Sequence, residues 1–330
     1  MGVNGALPAA DALLAVDAGN SKTDVAVLSR DGKVLGAARG GGFQPPVAGV
    51  AAAVDGLAEI VGRAAADAGV PLSFAHVTAC LANADLPVEE AGLERELLGR
   101  GWSRSVRVHN DTFALLRAGL DEPRGVAVVC GAGVNCVGMT PDGRTARFPA
   151  IGRISGDWGG GGGLAEEAMW FAARAEDGRG EPTELARALP AHFGLGTMYA
   201  LIEAVHLGRI PHARRHELTP VLFRVAAEGD PVALSLVHRM AEEVVALAAV
   251  ALRRLGLLGE EAPVVLGGSV LAARHPQLEA RIRELLAERA PKAVVRFVTA
   301  PPVLGAGLLA LDESGAGPEA AERLRGHYAG

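Results

Sequence analysis

The sequence predicts an α/β fold with two domains, because three features of the chain agree. The chain has 330 residues, more than one ordinary hydrophobic core organises, which suits two domains. Hydrophobic residues make up 49% of the chain and aromatic residues only 4%, a composition typical of close-packed α/β layers. One order of strands and helices also occurs twice, each time beginning with a three-stranded meander.

The first copy of the pattern begins at Leu13. The segments 13–19, 23–29 and 33–39 predict strands, and Asp31-Gly32 is a strong hairpin-turn signal between the last two. Periodicity then predicts alternating elements: a helix over 47–68, a strand near 74–81, a helix near 88–99, a strand over 105–109 and a helix from Thr112.

The second copy begins at Gly125, and Asp142-Gly143 occupies the turn position that Asp31-Gly32 holds in the first. Strands are predicted at 125–133, 134–140, 145–151, 262–268 and 293–299, with helices at 164–176, 182–190, 218–228, 232–255, 277–288, 303–312 and 317–327. We therefore expect a loose tail over 1–12, an N-terminal domain over 13–119 and a larger C-terminal domain over 120–330. A helical insertion at about 164–256 belongs to the second domain, and a cleft is expected between the two.

Composition argues against several classes of partner. Net charge is −6 and no basic run exceeds Arg214-Arg215, so we expect no nucleic-acid partner. No uninterrupted apolar run approaches the roughly 18 residues of a membrane span, and the first residues lack a signal-peptide pattern. The three cysteines Cys80, Cys130 and Cys136 have no CxxC spacing, which favours a reduced, cytoplasmic compartment.

Two strand junctions carry polar or glycine-rich turns. In "VDAGNSKTD", residues 16–24, Lys22 follows Ser21 and a strand comes next, so this is no Walker A loop. It is either a polar hairpin turn or a phosphate-binding turn with Asp17 near Mg²⁺. In "CGAGVNC", residues 130–136, the two glycines allow close approach of an anion, although ordinary glycine hairpins look the same.

Two further motifs follow buried strands. In "VHNDTFALL", residues 108–116, Asp111 either caps a helix or acts as a general base at a strand end. In "VVLGGSVL", residues 264–271, the glycines make a tight turn or let a base or ribose pack against backbone. A third stretch, "GDWGGGGG" at 156–163, is either a linker or a loop that crowds its backbone against a ligand.

Together, the order and spacing of these motifs resemble the actin-like ATPase superfamily of sugar kinases and heat-shock ATPases. The chain is most similar to the N-acetylglucosamine kinase group, which belongs with the BadF/BadG/BcrA/BcrD-type ATPases, and the resemblance spans Leu13 to about Leu311. It implies two actin-like (ribonuclease H-like) domains, each of βββαβαβα type, facing each other across a cleft. It also implies ATP and Mg²⁺ as cofactors, a small-molecule sugar substrate and a homodimer.

The resemblance assigns roles residue by residue. Asp111 becomes the catalytic base and Asp17 the Mg²⁺ residue, through water. The implied sugar contacts are Gln44, Asn110, Asp111, Asn135, Gly152 and Asp157. The implied ATP and phosphate contacts are Gly19, Asn20, Ser21, Lys22, Thr23, Gly131, Ala132, Gly133, Gly267, Gly268 and Ser269.

Departures from the family pattern bear on the sugar more than on the reaction. Gln44 stands where the family has asparagine, Ala132 where related kinases often have a hydroxyl, and Ile151 where some members have tryptophan. Phosphorylation of the 6-hydroxyl of N-acetylglucosamine is the first expectation. N-acetylmuramic acid, N-acetylmannosamine, glucosamine and glucose are alternative substrates, and an ATP-driven activator with an iron–sulfur cluster or a sugar sensor are alternative functions.

Overall fold

The computed structural model describes residues 11–329, so the tail expected over 1–12 lies almost entirely outside the described residues. The chain forms two compact units. The first comprises the chain up to Arg124 together with the segment from Val298 onward, and the second comprises Gly125–Phe297.

The first unit contains a five-stranded mixed sheet. Its elements before residue 124 are β1 (Leu13–Ala18), β2 (Lys22–Leu28), β3 (Val34–Gly41), α1 (Pro45–Ala48), α2 (Val50–Ala68), β4 (His76–Leu81), α3 (Pro87–Gly99), β5 (Val106–Asn110) and α4 (Thr112–Ala118). The strand order is β3-β2-β1-β4-β5. Strands β1, β4 and β5 are parallel, and β2 runs antiparallel to both β1 and β3.

The second unit contains another five-stranded mixed sheet. Its elements are β6 (Gly125–Cys130), β7 (Val134–Met139), β8 (Thr145–Arg147), α5 (Gly160–Glu176), α6 (Leu185–His192), α7 (Met198–His206), α8 (Leu218–Ala227), α9 (Pro231–Leu255), β9 (Ala262–Gly267), α10 (Ser269–Ala272), α11 (Pro276–Arg289) and β10 (Ala293–Phe297). Short 3₁₀ helices cover Gly152–Ser155 and His212–Glu217.

The two sheets have the same topology, which confirms the internal repeat. The second sheet has the order β10-β9-β6-β7-β8, so its meander β6-β7-β8 corresponds to β1-β2-β3 and its outer strands correspond to β4 and β5. In both sheets the first strand of the meander pairs in parallel with the strand that follows the helical section. The carboxyl ends of parallel strands share one edge, where ligands of open α/β sheets bind.

The boundary expected for the second domain was wrong at its C-terminal end. Helices α12 (Pro302–Glu313) and α13 (Pro318–Tyr328) belong to the first unit. Helix α12 packs against α4 so closely that a Cβ on Gly305 would collide with the Ala114 carbonyl. Buried Arg117 then donates from Nε to Asp312 Oδ2 at 2.7 Å. Hydrophobic periodicity identifies such helices but does not say which sheet they cover.

Helices α5 to α9 lie between β8 and β9, with two differences from the expected elements. Helix α5 begins at Gly160, inside the glycine run, instead of at residue 164. Helix α7 was not predicted, although Thr197 caps its start by accepting a hydrogen bond from Ala200 N at 3.1 Å and Gly208 follows its end. Over residues 11–329, no helix combines the length and apolar character needed to cross a bilayer.

Helix α12 is also fixed to the first sheet by one carboxylate. Glu313 accepts hydrogen bonds from Thr78 Oγ1 at 2.5 Å and shares close contacts with Nε2 of His76, at 2.8 Å, and of His109, at 2.6 Å. Burial acts to raise the pKa of Glu313, but the hydrogen bonds from the two histidines outweigh it, and the pKa falls to about 2 from its ordinary 4.5. The ionised carboxylate therefore stabilises the folded state.

We expect Glu313→Gln to lower the free energy of unfolding by roughly 1–3 kcal/mol at pH 7. Because the folded-state pKa lies below the unfolded one, the deficit should be full above about pH 4.5 and shrink as pH falls towards 2. Urea unfolding at several pH values measures it. Glu184→Gln, which removes an exposed pair with Arg187, is the control and should change little. A deficit independent of pH would contradict the account.

Candidate active site

Two carboxylates lie at the carboxyl-end edge of the first sheet. Asp17 is the penultimate residue of β1 and only 6% exposed. Burial, followed by the charges of Asp111 and Asp24, raises the pKa of Asp17 to about 7. A buried acid with a second acid nearby is a common feature of functional sites. The pair binds a proton or a cation more readily than isolated carboxylates would.

Asp111 immediately follows β5, at the N-cap position of α4. Its side chain makes no capping hydrogen bond to α4, and the amide of Thr112 donates to Asn110 Oδ1 at 3.0 Å. Asp111 thus occupies the N-cap position without the side-chain bond typical of a cap, and its role as a base stays a prediction. Burial raises the pKa of Asp111 to about 6, which is suitable for a base that acts near neutral pH.

The turn between β1 and β2 presents exposed Asn20, Ser21 and Lys22, whereas Thr23 is buried. Gly19 N donates to the Lys22 carbonyl at 2.9 Å and closes the turn. The Lys22 ammonium lies 3.4 Å from Asp24. Gln44, from the loop after β3, donates from Nε2 to the Asn20 carbonyl at 2.7 Å. The structure thus brings the first phosphate turn and the predicted sugar loop together.

Asn83, in the loop after β4, is a site residue that sequence reasoning missed. It has a φ of 62°, in the left-handed region that asparagine tolerates better than most residues. Its Nδ2 lies 3.0 Å from Asn20 Oδ1 and 3.3 Å from the Phe43 carbonyl. An asparagine directly after a buried strand was the available signal.

A cavity of about 770 Å³ adjoins these loops. It is lined by the β1–β2 turn, by Gly40–Gln44 and by one side of α2. Its volume falls within the range of small-molecule sites. Asp17 and Asp111 are not among its lining residues.

The turn between β6 and β7 packs directly on the start of α5. The amide of Gly161 donates to the Gly131 carbonyl at 2.7 Å, and that of Gly162 to the Ala132 carbonyl at 2.9 Å. A Cβ on Gly160 would lie 2.5 Å from Gly133 Cα, and its φ is +71°. The glycine run is therefore the first turn of a helix in backbone contact with a strand turn, which excludes a linker.

The "GGS" motif follows β9, the strand that pairs with β6 on the side opposite to β7. Gly268 has a φ of +82°, and a Cβ there would meet the Cys130 backbone at 2.5 Å. Ser269 begins α10. Gly267 ends β9, paired in register with Val129. Three glycine motifs that are distant in sequence therefore converge around the end of β6.

A cavity of about 440 Å³ opens at this convergence. Gly131, Ala132, Gly161 and Ser269 line it together with residues of the helical section. Among these, the Phe223 and His275 rings stack with centroids 3.8 Å apart and planes within 3°, and Thr219 Oγ1 donates to the Gly161 carbonyl at 2.6 Å. The sequence did not predict Thr219, Phe223 or His275 as site residues, because single residues in and beside helices carry no motif.

Asp157 and Gly152 are brought together in the loop before α5. Gly152 N donates to Asp157 Oδ2 at 2.8 Å, and Ser155 Oγ donates to the same oxygen at 2.7 Å. Both residues line a cavity of about 300 Å³ that also includes Ala132, Gly133, Glu166 and Glu167. Asn135 lies on β7, accepts from Cys136 N at 2.7 Å, and is not among the residues lining this cavity.

The site suits Mg²⁺ only in combination with phosphate oxygens. Over residues 11–329, no group of three or more His, Cys, Asp or Glu side chains is arranged to hold a metal ion. Mg²⁺ is often held by one or two carboxylates together with substrate phosphates and water. Asp17, whose burial and acidic neighbours disfavour its ionised form, provides a carboxylate that a cation would stabilise.

The topology of the two sheets is that of the actin-like sugar-kinase fold. A solved structure from Chromobacterium violaceum, provisionally assigned as an N-acetylglucosamine kinase, covers 92% of this chain and 100% of its own, with TM-score 0.68 and 24% identity. A ROK family glucokinase from Streptomyces griseus, solved with glucose and AMPPNP, covers 92% and 98%, with TM-score 0.54 and 18% identity. At these identities the likeness establishes the fold.

The chain belongs to the BadF/BadG/BcrA/BcrD ATPase family, which it matches over residues 14–310. It is also 28% identical over 220 residues to an N-acetyl-D-glucosamine kinase from Dictyostelium discoideum, covering 66% of this chain and 68% of the relative. The resemblance to the BadF group inferred from the motifs is thereby confirmed.

The contact between the β6–β7 turn and α5 generates a prediction with a matched control. Gly160→Ala should destabilise the protein and weaken nucleotide binding, because its φ of +71° and the Gly133 backbone exclude a methyl group. Gly163→Ala meets nothing within 4 Å and should stabilise α5 by roughly 0.5–1 kcal/mol.

Urea unfolding and calorimetric titration with a nucleotide measure both effects. Opposite signs of the stability change are expected for the two alanine variants. If Gly160→Ala and Gly163→Ala changed the stability by the same amount and the nucleotide affinity by the same factor, a close backbone contact at Gly160 would be contradicted.

Proposed function

We propose that the protein is an ATP-dependent kinase that phosphorylates the 6-hydroxyl of an amino sugar, most simply N-acetyl-D-glucosamine. The observation that carries this proposal is the pair of carboxylates at the edge of the first sheet, buried Asp17 and half-buried Asp111, whose pKa values are both raised. The membership of an ATPase family and the similarity to kinases of amino sugars support it. A base and a cation ligand are two of the parts that phosphoryl transfer uses.

The nucleotide is assigned to the convergent glycine motifs. The 440 Å³ cavity suits adenosine, since apolar and aromatic side chains line most of it while Ser269 and the glycine backbones provide polar contacts. Gly267, Gly268 and Ser269 contact the nucleoside in this proposal. In the second unit, the backbone of the Gly131–Gly133 turn is assigned to phosphate. In the first unit, the Gly19–Thr23 turn, which includes the Lys22 ammonium, is likewise a candidate phosphate contact.

Asp111 is assigned as the general base. Its carboxylate accepts the proton of the C6 hydroxyl as that oxygen attacks the γ-phosphorus, and the bond from the γ-phosphorus to the ADP oxygen breaks. A base held in place contributes on the order of 10²–10⁴ in rate. With a pKa of about 6, Asp111 is mostly ionised at pH 7.

Asp17 is assigned as the residue that holds Mg²⁺, through water. When bound, Mg²⁺ neutralises charge on the phosphate oxygens. Asp17 itself contributes a carboxylate in a desolvated position, where its interaction with a cation is stronger than it would be in water.

In the first unit, the residues assigned to sugar binding are Gln44 and Asp111. In the second unit, the candidates are Asn135, Gly152 and Asp157. Asp157 is a suitable hydroxyl acceptor, because its loop holds the carboxylate by two hydrogen bonds. N-acetylmuramic acid is the second acceptor to test. A relative from Clostridium acetobutylicum, 25% identical over 232 residues covering 70% of this chain and 76% of its own, is an N-acetylmuramic acid/N-acetylglucosamine kinase.

The rival assignment, an activator that carries an iron–sulfur cluster, finds little support. Cluster ligands are cysteine thiolates, yet all three cysteines are buried. Burial raises the pKa of Cys130 to about 12 and raises the pKa values of Cys80 and Cys136 as well. We further propose that the kinase works in the cytoplasm as a homodimer.

Asp111→Asn should lower kcat by at least a hundredfold, because an amide cannot accept the hydroxyl proton, while the Kd for ATP changes less than threefold. Steady-state kinetics and calorimetry measure the two constants. Asp142→Asn alters an exposed acid in the β7–β8 turn and should retain full activity. A kcat above a few per cent of wild type in Asp111→Asn would refute the base assignment.

A coupled ADP-release screen tests the substrate class. Amino sugars, glucose and N-acetylmuramic acid are supplied in turn with Mg²⁺–ATP, and Asp111→Asn serves as the blank. We expect sugar-dependent ADP release to be highest with N-acetylglucosamine. Release that is identical with and without every sugar would refute the proposed function.

A further inference from the structure

A carboxylate in the loop between β4 and α3 holds the residue that precedes Asp111. Asp85 Oδ1 accepts a hydrogen bond from Asn110 Nδ2 at 2.8 Å. Asn110 ends β5 and is only 3% exposed. The sequence motifs gave Asp85 no role, since it lies in a short polar stretch between predicted elements.

The other end of the Asn110 amide is also engaged. Its Oδ1 accepts the hydrogen bond from Thr112 N at 3.0 Å. The Asn110 side chain therefore reaches past Asp111 and connects the loop after β4 to the first turn of α4. Asn110 and Thr112 are the chain neighbours of Asp111. The bridge therefore restricts the backbone on both sides of the proposed catalytic carboxylate.

Asp85 itself lies in a loop that two hydrogen bonds hold in place. Its amide and the amide of Leu86 both donate to Glu89 Oε2, at 3.0 Å and 2.9 Å. The bond from Leu86 N is the Glu89 half of a capping box, in which the carboxylate of the third helical residue accepts from the N-cap amide. The two bonds to Glu89 fix the loop relative to the helix. The Asp85 carboxylate is thus presented to Asn110 from a fixed support.

We propose that Asp85 is a positioning residue for phosphoryl transfer, acting on Asp111 through Asn110. The inference rests on the proposed function, since it needs Asp111 to be the base. It also revises the role of Asn110, which positions the base instead of contacting the sugar. Loss of the Asp85 oxygen leaves the buried amide of Asn110 without that acceptor, and a small displacement of Asp111 is enough to slow transfer.

The test compares substitutions of Asp85 that remove or keep a hydrogen-bond acceptor for the Asn110 side chain. Asp85→Ala should lower kcat for sugar phosphorylation roughly tenfold or more while the KM for ATP stays within about twofold. Asp85→Asn keeps an acceptor oxygen at the same reach and should restore most of kcat. Asp55→Ala is the control: it removes an exposed ion pair with Arg100 in the same unit, away from Asp85 and Asn110, and it should leave kcat nearly unchanged.

A double-mutant cycle then separates positioning through Asn110 from a general loss of structure. The kcat of Asn110→Ala should match that of Asp85→Ala, and the double variant should be no slower than either, since both changes break one bridge. Should Asp85→Ala fail to fold, Asp85→Ser, whose hydroxyl is too short to reach, replaces it.

Each outcome decides the inference. Equal kcat losses in Asp85→Ala and Asp55→Ala, no rescue by Asp85→Asn, or multiplicative losses in the double variant would overturn it. If wild-type protein phosphorylates no sugar, the proposed function fails and the inference fails with it. Wild-type activity that is insensitive to Asp85→Ala refutes the inference alone.

Discussion

The desolvation of two carboxylates at one edge of the first sheet, buried Asp17 and half-buried Asp111, is the constraint on which the rest of the site depends. Parallel pairing of β1, β4 and β5 sets Asp17 opposite Cys80, and Cys80 opposite His109. Asp111 follows β5 at the same edge. Removing both acids from water raises the pKa of each, so the folded state holds them at a cost. Carboxylates held at such a cost are typical of functional sites, where they accept a proton or bind a cation.

Close contact between backbones is the second constraint, and it explains Gly160, Gly161 and Gly162 within the run of five glycines. Helix α5 begins within the run, its first amides donate to the carbonyls of the β6–β7 turn, and Gly160 has no room for a side chain. The entropic cost of ordering glycine is accepted because any larger residue would separate the helix from the turn. The same reasoning applies to Gly268 beside Cys130.

Local patterns predicted most of the fold and the centre of the site. Alternation, DG turns and repeat order gave the strands within about two residues in most cases, except β8, which ends at Arg147, and they placed Asp17 and Asp111 at strand ends. Local patterns could not predict contacts between residues that are far apart in the sequence. The helices after Val298 return to the first unit, Phe223 and His275 meet only after folding, and Asp85 reaches Asn110 across 25 positions.

Carbon-13 NMR titration of the aspartate carboxyl carbons tests the central claim most directly, with Asp17→Asn and Asp111→Asn to assign the signals. The account predicts midpoints near 7 for Asp17 and near 6 for Asp111. Exposed Asp142, whose hydrogen bonds from Thr140 and Arg144 lower its pKa to about 2, provides an internal comparison. Midpoints for both Asp17 and Asp111 near the ordinary aspartate value of about 3.9 would contradict a desolvated pair.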